Sequence, residues 1–174
     1  MNMKSSEGSK KFSRLLRRKT DSKPSTREAI LLKIHHVGIA CVNLQEAIQH
    51  HCALFNLKPV SQIEKDPIQK VFGVLLANSD QDVLIELISP TCENSPVSDF
   101  LRRGIHLYHV CYLVDDIELA LINARNERSI IVSRPAPAKL FNERRIAFVY
   151  TRDGYMVEFL EERSKTSEPE KTRV

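Results

Sequence analysis

Two stretches of this chain share one pattern of apolar and polar positions, although they lie 73 residues apart. The first has an apolar run at Ile34–Cys41, then Asn43, and then apolar residues at helical spacing over Leu44–Leu54. This pattern predicts a buried strand, a polar turn with Asn43 as the helix cap, and an amphipathic helix. The second copy predicts the same three elements over Ile105–Val114 and Asp116–Asn126. An internal repeat of this kind indicates a fold built from two similar modules.

Further short apolar runs, bounded by turn residues, predict the remaining strands of each half. The predicted strands are Val60–Glu64, Lys70–Ala77 and Val83–Ile88 in the first half, and Ile130–Ser133, Arg145–Thr151 and Tyr155–Leu160 in the second. Ser95 as cap and Pro96 at the first helical position predict a short helix through Arg102 between the halves. Pro135–Phe141 is predicted to be a loop because it is rich in proline.

The fold predicted from these elements is α+β, with two tandem βαβββ modules at residues 33–90 and 105–162. Both modules belong to one domain over residues 31–163. Joined edge to edge, they would form a cupped mixed sheet around a metal cleft, with the helices on the outer faces. Pairing of the modules also removes exposed strand edges, which are a liability in isolated sheets.

The chain of 174 residues has a formal net charge of +4, but this charge is distributed unevenly. Residues 1–30 hold nine Lys or Arg and three Asp or Glu, a local +6, which leaves −2 for the rest. Because this segment is poor in large apolar residues, we predict a disordered basic tail at 1–30 and a frayed end at 164–174. Contact with an anionic surface and an organellar transit peptide stay open as alternatives for the tail. An acidic domain argues against nucleic acid as a partner.

The expected environment of the protein follows from its apolar runs and its cysteines. No apolar run reaches the roughly 20 residues that a membrane-spanning helix needs. The four cysteines show no zinc-site spacing, and Cys41 and Cys111 lie in apolar strands, where we expect small core residues. A reducing, cytoplasmic compartment is the simplest setting for such a chain.

Histidine and glutamate recur at matching places on the predicted strands of the two halves. His36 corresponds to His109 on the first strand of each module, and Glu86 corresponds to Glu158 on the last strand. Because both glutamates have apolar neighbours, an unpaired carboxylate there would be costly to bury. One divalent ion, either Co, Ni, Zn or Mn, would compensate that charge if the two imidazoles and two carboxylates bound it. His50, His51 and His106 are expected to face solvent.

Several motifs together resemble the vicinal oxygen chelate superfamily, which includes the glyoxalases and the bleomycin-resistance proteins. They are His-Val-Gly-Ile-Ala at 36–40, Ser95–Leu101, the run from His109 to Leu121, and Val-Glu-Phe-Leu at 157–160. Within that superfamily the chain is most similar to the methylmalonyl-CoA epimerases, over roughly Lys33–Glu162. The resemblance implies paired βαβββ modules around one divalent metal, with His36, Glu86, His109 and Glu158 as its ligands.

The implied activity is epimerisation or isomerisation of a small-molecule substrate, methylmalonyl-CoA or a related acyl-CoA, through a metal-stabilised enolate. Glu158 and Glu86, from matching strands, are the expected proton-transfer residues on opposite faces of the substrate. One departure from the epimerases is Gly73, near the place where bacterial members can carry a base glutamate. Arg144 or Arg145 is a candidate contact for a substrate carboxylate or a CoA phosphate.

Two other functions remain as alternatives. Glu86, where the epimerases often have Gln, and Asp153-Gly154-Tyr155 resemble the glyoxalase I enzymes and favour a lyase of that type. A non-catalytic protein that binds a small molecule, as bleomycin-resistance proteins do, is the alternative outside enzymes. Modules of this type often pair between chains as well, so we expect a homodimer.

Overall fold

The computed structural model describes residues 33–162, and the predicted tails at 1–30 and 164–174 lie outside them. The first half contains β1 (Lys33–Ala40), α1 (Leu44–Phe55), β2 (Lys58–Pro59), β3 (Glu64–Asp66), β4 (Val71–Ala77) and β5 (Leu84–Pro90). Helix α2 (Pro96–Arg102) joins the halves. The second half contains β6 (Leu107–Val114), α3 (Ile117–Asn126), β7 (Ile130–Ile131), β8 (Ala136–Ala138), a 3-10 helix (Lys139–Phe141), β9 (Arg144–Tyr150) and β10 (Met156–Glu161).

All ten described strands belong to one mixed sheet in the order β2-β4-β5-β1-β6-β10-β9-β7, with β3 paired to β4 and β8 to β9. The two halves meet where β1 and β6 pair antiparallel at the centre. In each half the first and last strands run parallel, β1 with β5 and β6 with β10. The predicted α+β architecture of two tandem modules in a mixed sheet is therefore confirmed.

Each half buries one helix against the outer face of its own strands. In the first half, Ile48 of α1 packs with Val74, Leu76 and Leu87. In the second, α3 packs against β9 and β10 through the buried residues Ile117, Ala120, Leu121, Ala147, Val149, Val157 and Phe159. These contacts stabilise the two halves separately and leave the inner face of the sheet to line a cavity.

The predicted strand Val60–Glu64 is largely wrong, because Lys58–Pro59 and Glu64–Asp66 form separate short strands beside β4. Between them Val60 N still donates to Leu75 O at 2.9 Å. Ser61 causes the interruption: its hydroxyl accepts a hydrogen bond of 2.9 Å from Leu75 N and so replaces a backbone carbonyl. In the second half Ser133 accepts from Phe148 N at 2.9 Å in the same way. A serine hydroxyl can satisfy a backbone donor without a regular ladder, which shortens the strand on that side.

The loop predicted at Pro135–Phe141 is also partly wrong. Ala136–Ala138 pairs with β9, and Lys139–Phe141 forms the 3-10 helix that follows. Proline lacks the N–H of a regular strand, but it is tolerated on an edge strand, and Pro137 occupies one. β8 therefore takes in the second half the place that β3 takes in the first, since each pairs with the long strand that follows it.

Candidate metal centre

Four adjacent strands place the two histidines and two glutamates in two rows across the centre of the sheet. In one row Glu86 of β5 lies beside Gly38 of β1, which lies beside His109 of β6. In the other, Glu158 of β10 lies beside Cys111 of β6, which lies beside His36 of β1. Each row thus joins a carboxylate of one half to an imidazole of the other, with a small residue between them.

The four side chains converge on one point. His36 Nε2 lies 2.9 Å from His109 Nε2 and 3.1 Å from Oε2 of both Glu86 and Glu158. His109 Nε2 lies 3.3 Å from Glu86 Oε2 and 3.4 Å from Glu158 Oε2. All four residues are buried, with at most 7% of their surface exposed. The structure therefore brings together all four residues that the repeat singled out.

The cluster shifts the pKa of each of its members. Burial by itself would lower the pKa of His36, but the carboxylates of Glu158 and Glu86 outweigh it and raise the pKa to about 9. The same carboxylates raise the pKa of His109 against the effect of its burial. Burial would raise the pKa of Glu86 and Glu158, but the two imidazoles hold both below the usual range. In each case the attraction between opposite charges, which is strong where water is excluded, outweighs the effect of burial on the pKa.

The spacing of the four atoms fits a bound divalent cation. Ligand atoms about 2.1 Å from one ion lie about 3.0 Å apart at right angles and about 3.4 Å apart at the tetrahedral angle. Two protonated imidazoles would point N–H groups at each other at this separation, whereas two neutral ones can direct lone pairs at a shared ion. Glu158 Oε2 is also buried without a hydrogen bond from residues 33–162, as expected of a metal-ligand atom.

Gly38 and Cys111 also belong to the site, although neither is one of its four charged side chains. A Cβ at Gly38 would lie 2.5 Å from His109 Nδ1 and 2.6 Å from His109 Nε2, so the imidazole fills the space that a side chain would take. Cys111 holds the equivalent middle position in the other row and is completely buried. Sequence reasoning missed both, although the Gly38 of the His-Val-Gly motif was a signal that could have been used.

His36 is enclosed on its remaining sides. Its Nδ1 lies 2.8 Å from Nδ1 of His35, and its ring stacks on Phe141 with centroids 5.2 Å apart. A register shift between Ile34 and His36 interrupts the β1–β6 ladder at His35. The pKa of His35 falls to about 4 because of its burial and of the charges of His36 and Arg144. His35 is therefore a neutral partner for the outer nitrogen of His36.

The cluster opens into a cavity of about 150 Å³, which Glu86, His109 and Glu158 line from the sheet. Its other walls are mostly apolar and include Val97 of α2 and Phe148 of β9. A space of this volume holds a molecule of about the size of benzene. The cavity therefore suits a small acyl group rather than a large substrate.

The two candidate arginines lie elsewhere. Arg145 pairs with Glu161, its Nη2 lying 2.6 Å from Oε1, and with Glu118 at the outer surface. Arg144 lines an open surface depression together with His35. Neither of them lines the cavity of the cluster, so the expected contact of an arginine with the substrate stays a prediction.

Three histidines that were expected to face solvent lie apart from the cluster. His50 is exposed, and His51 is partly buried with Nδ1 2.8 Å from Ala47 O. His106 is exposed and lies 2.9 Å from Ala40 O through its Nδ1. The glyoxalase-like Asp153-Gly154-Tyr155 forms the turn between β9 and β10 and does not line the cavity of the cluster.

The match to known proteins agrees with this site. Residues 35–148 match the glyoxalase/bleomycin resistance protein/dioxygenase superfamily, which is about two thirds of the chain. The chain belongs to this superfamily. Members generally bind a divalent metal, and the cluster of His36, Glu86, His109 and Glu158 is suited to one. No protein with a curated function matches the chain.

Solved structures with the same fold include methylmalonyl-CoA epimerases. The enzyme of Mycobacterium tuberculosis is 26% identical with a TM-score of 0.66, over 76% of this chain and 89% of that one. A variant of the Streptomyces coelicolor enzyme, in complex with 2-nitronate-propionyl-CoA, is 22% identical with a TM-score of 0.64, over 76% and 95% of the two chains. A hypothetical protein of Bacillus halodurans is 24% identical with a TM-score of 0.67, over 79% and 99%.

No helix within residues 33–162 is long and apolar enough to cross a membrane.

Proposed function

We propose that this protein is a metal-dependent epimerase or isomerase that moves the α-proton of an acyl-CoA, with methylmalonyl-CoA as the first candidate substrate. The observation that carries the proposal is the placement of Glu86, His109 and Glu158 on the wall of a small, mostly apolar cavity. The family and the epimerase neighbours support it. So does α2, the epimerase-like segment of the sequence, because Pro96 and Val97 line the same cavity.

His36, Glu86, His109 and Glu158 would hold one divalent ion, either Co, Ni, Zn or Mn. When bound, this ion supplies a Lewis acid that stabilises the negative charge of the substrate enolate. Glu158 is the proton acceptor for one face of the substrate, because its carboxylate is ionised and borders the cavity. The apolar walls exclude water from the carbanion. The acyl group lies in the cavity and the rest of the CoA lies outside it.

Solvent exchange tests this proposal directly. The metal-loaded protein is incubated with methylmalonyl-CoA in D₂O, and deuterium at the α-carbon is followed by NMR. We expect incorporation that depends on the metal and is lost with chelator. The absence of exchange with the metal-loaded protein would rule out this substrate.

A lyase of glyoxalase type is the second candidate, and the carboxylate of Glu86 favours it over an epimerase with an amide at that place. The corresponding assay measures thioester formation from the hemithioacetal of methylglyoxal and glutathione. If neither assay gives product and the protein holds no metal, the non-catalytic binding protein becomes the better hypothesis. The predicted homodimer and the cytoplasmic location stay predictions, and light scattering at micromolar concentration tests the first.

A further inference from the structure

Interconversion of two epimers needs a proton acceptor on one face of the α-carbon and a proton donor on the other. Glu158 provides one of them, and Glu86 was the residue expected from the repeat to provide the second. We propose that Glu64 of β3 is the second proton-transfer residue, because it borders the same cavity from the other half of the sheet. This inference rests on the proposed epimerase function and identifies a further residue of the same site.

The pairing of β3 with β4 directs Glu64 toward the cluster. Glu64 lies directly opposite Gly73, and directly opposed residues of antiparallel strands project from the same face of the sheet. That face points at the cluster, because a Cβ at Gly73 would lie 3.4 Å from Glu86 Oε1 and 3.2 Å from Leu140 Cδ2. Glu64 lines the cavity accordingly, and Gly73 places no side chain beside it.

Four acidic residues line this cavity, and the side chains of three of them contact other groups of the protein. Asp66 is buried, and its carboxylate accepts hydrogen bonds from the backbone N–H groups of Ile68, Gln69 and Lys139 at 2.8 to 3.1 Å, so it fastens β3 to the 3-10 helix. Glu86 and Glu158 each direct Oε2 at the imidazoles. The carboxylate of Glu64 makes no hydrogen bond or ion pair with any residue between 33 and 162.

Glu64 and Glu158 line the cavity from different halves of the sheet. β3 pairs with β4 in the first half of the sheet, whereas β10 lies in the second half, beyond the central β1–β6 pair. Glu86 comes from the first half as well, but it contacts the imidazoles as Glu158 does, whereas Glu64 lines the cavity outside the set of proposed metal ligands. Glu64 is half-buried, so its carboxyl group can exchange its proton with water between turnovers.

The proton transfers balance without any further reactant. The α C–H bond breaks, the proton passes to the Glu158 carboxylate, and the electron pair remains on the substrate as the enolate. Protonated Glu64 then donates its proton to the other face of the α-carbon, a new C–H bond forms, and Glu64 becomes a carboxylate. Exchange with water deprotonates Glu158 and reprotonates Glu64, and the opposite reaction reverses the two roles.

The test measures exchange and interconversion separately in Glu64→Gln. Each epimer of methylmalonyl-CoA is incubated in D₂O with the metal-loaded protein, and α-deuterium and the ratio of epimers are both followed. We expect interconversion to fall by about 100-fold, the lower range for loss of a general acid or base. Exchange should continue for only one epimer, the one whose α-proton faces Glu158. Metal content and melting temperature should stay unchanged.

Two further variants make the result decisive. Glu93→Gln removes the same charge from an exposed loop outside the cavity and should interconvert the epimers at the wild-type rate. Glu64→Asp keeps a carboxylate on a shorter arm and should recover part of the rate. Interconversion by Glu64→Gln at the wild-type rate, or an equal loss of exchange from both epimers, would overturn the role of Glu64. Absence of exchange in the wild-type protein would instead overturn the proposed function, and this role with it.

Discussion

Gly38 determines where the imidazole of His109 can lie, because a Cβ at this position would come within 2.6 Å of His109 Nε2. The imidazole has no room to retreat, since it packs against Phe148 and His36 with ring centroids 5.4 and 5.1 Å away. A glycine is therefore needed at this place for close approach rather than for backbone freedom. Gly38 therefore contributes to the metal centre by leaving space for the imidazole of His109.

We expect Gly38→Ala to fold but to hold much less metal than the wild type, because the methyl group must push His109 out of the cluster. Overpacking of this kind costs about 1–3 kcal/mol of folding free energy. Elemental analysis and chemical denaturation measure both effects. Gly73→Ala is the matched comparison, since its methyl group would lie 3.2 Å from Leu140 Cδ2 and should lower the metal content less than Gly38→Ala does. Equal metal content in Gly38→Ala and wild type would contradict this account.

His35 acts on the metal through His36. If His36 binds the ion through Nε2, its Nδ1 carries the proton and donates it to Nδ1 of His35, 2.8 Å away. The low pKa of His35, about 4, keeps that acceptor neutral at physiological pH. Outer partners of this type fix the orientation of a ligating histidine, and their loss typically weakens metal binding by about 10–100-fold.

We therefore expect His35→Ala to lose about 10–100-fold in metal affinity, measured by competition with a coloured chelator. His35→Asn, whose amide oxygen can accept the same hydrogen bond, should recover part of that loss. His50→Ala serves as the control, because His50 is exposed on α1. A dissociation constant for His35→Ala equal to that of the control would exclude the positioning role.

The meeting of His36, Glu86, His109 and Glu158 was predictable because the repeat marked each residue twice. The roles of Gly38 and Cys111 were harder to predict, because only the His-Val-Gly motif marks Gly38 and a small residue between two ligands has no recognisable sequence pattern of its own. Glu64 was missed for another reason: Ala136, opposite Ile146, holds in the second half the place that Glu64, opposite Gly73, holds in the first, so the repeat offers no second copy. A residue that contributes through a missing side chain, or that occurs in only one half of the repeat, is recognised from the structure and not from the sequence pattern.

At the scale of elements, the long strands and helices were predictable from their apolar pattern, and the short edge strands were not. β4 and β10 carry enough apolar residues to be recognised by pattern alone. β2, β3, β7 and β8 have two or three residues each, and their bounds depend on pairing with a neighbour. The hydroxyl of Ser61, which replaces a backbone acceptor for Leu75, is a tertiary contact that periodicity does not reveal.

The helix caps give a prediction at this scale. Asn43 and Ser95 were both predicted from the sequence to cap a helix, but their side chains make different contacts in the structure. Asn43 Oδ1 accepts from Gln45 N and Glu46 N at 3.1 and 3.2 Å, whereas Ser95 makes no capping hydrogen bond and its Oγ is buried without a partner within residues 33–162. Asn43→Ala should lower the free energy of unfolding by about 1 kcal/mol. Ser95→Ala should leave it unchanged or raise it slightly, because it removes an unsatisfied hydroxyl.

Chemical denaturation of the two variants measures these differences. Neither residue lies in the metal cluster, so metal content provides an internal check that the site is intact. If Ser95→Ala lowers the free energy of unfolding as much as Asn43→Ala does, then Ser95 does cap α2.

At the scale of the whole molecule, the cluster joins the two halves. Each half has its own helix and core, and the two halves are joined by the pairing of β1 with β6 and by the hydrogen bond from Lys139 N to Asp66. Glu86 and His36 come from one half, and His109 and Glu158 from the other. A bound ion would therefore cross-link the modules, and binding to the folded state alone stabilises a protein by about 2.7 kcal/mol at 100 times the dissociation constant.

Without metal, the cluster stabilises the fold only while its imidazoles are protonated. The pKa of His36 is raised from 6.5 to about 9 in the folded state, so its contribution is complete below pH 6.5 and is lost as the pH rises through 9. The lowered pKa of Glu86 and Glu158 has the opposite sign: their contribution is present above their ordinary pKa and is lost on acidification. The metal-free protein should therefore lose stability between neutral pH and about pH 9.

The metal-bound protein should respond in the opposite direction, because an ion binds deprotonated imidazoles and its affinity rises with pH. We therefore expect the difference in melting temperature between metal-loaded and chelator-treated protein to widen from about pH 6 to about pH 9. Thermal melts across this range, with Co, Ni, Zn or Mn added back in turn, measure it. His109→Ala should abolish the difference at every pH, since it removes a ligand, whereas His50→Ala should preserve it. A difference that stays constant or narrows as the pH rises would show that the ion does not compete with protons for His36 and His109, and a melting temperature indifferent to chelator and to all four ions would refute the metal centre itself.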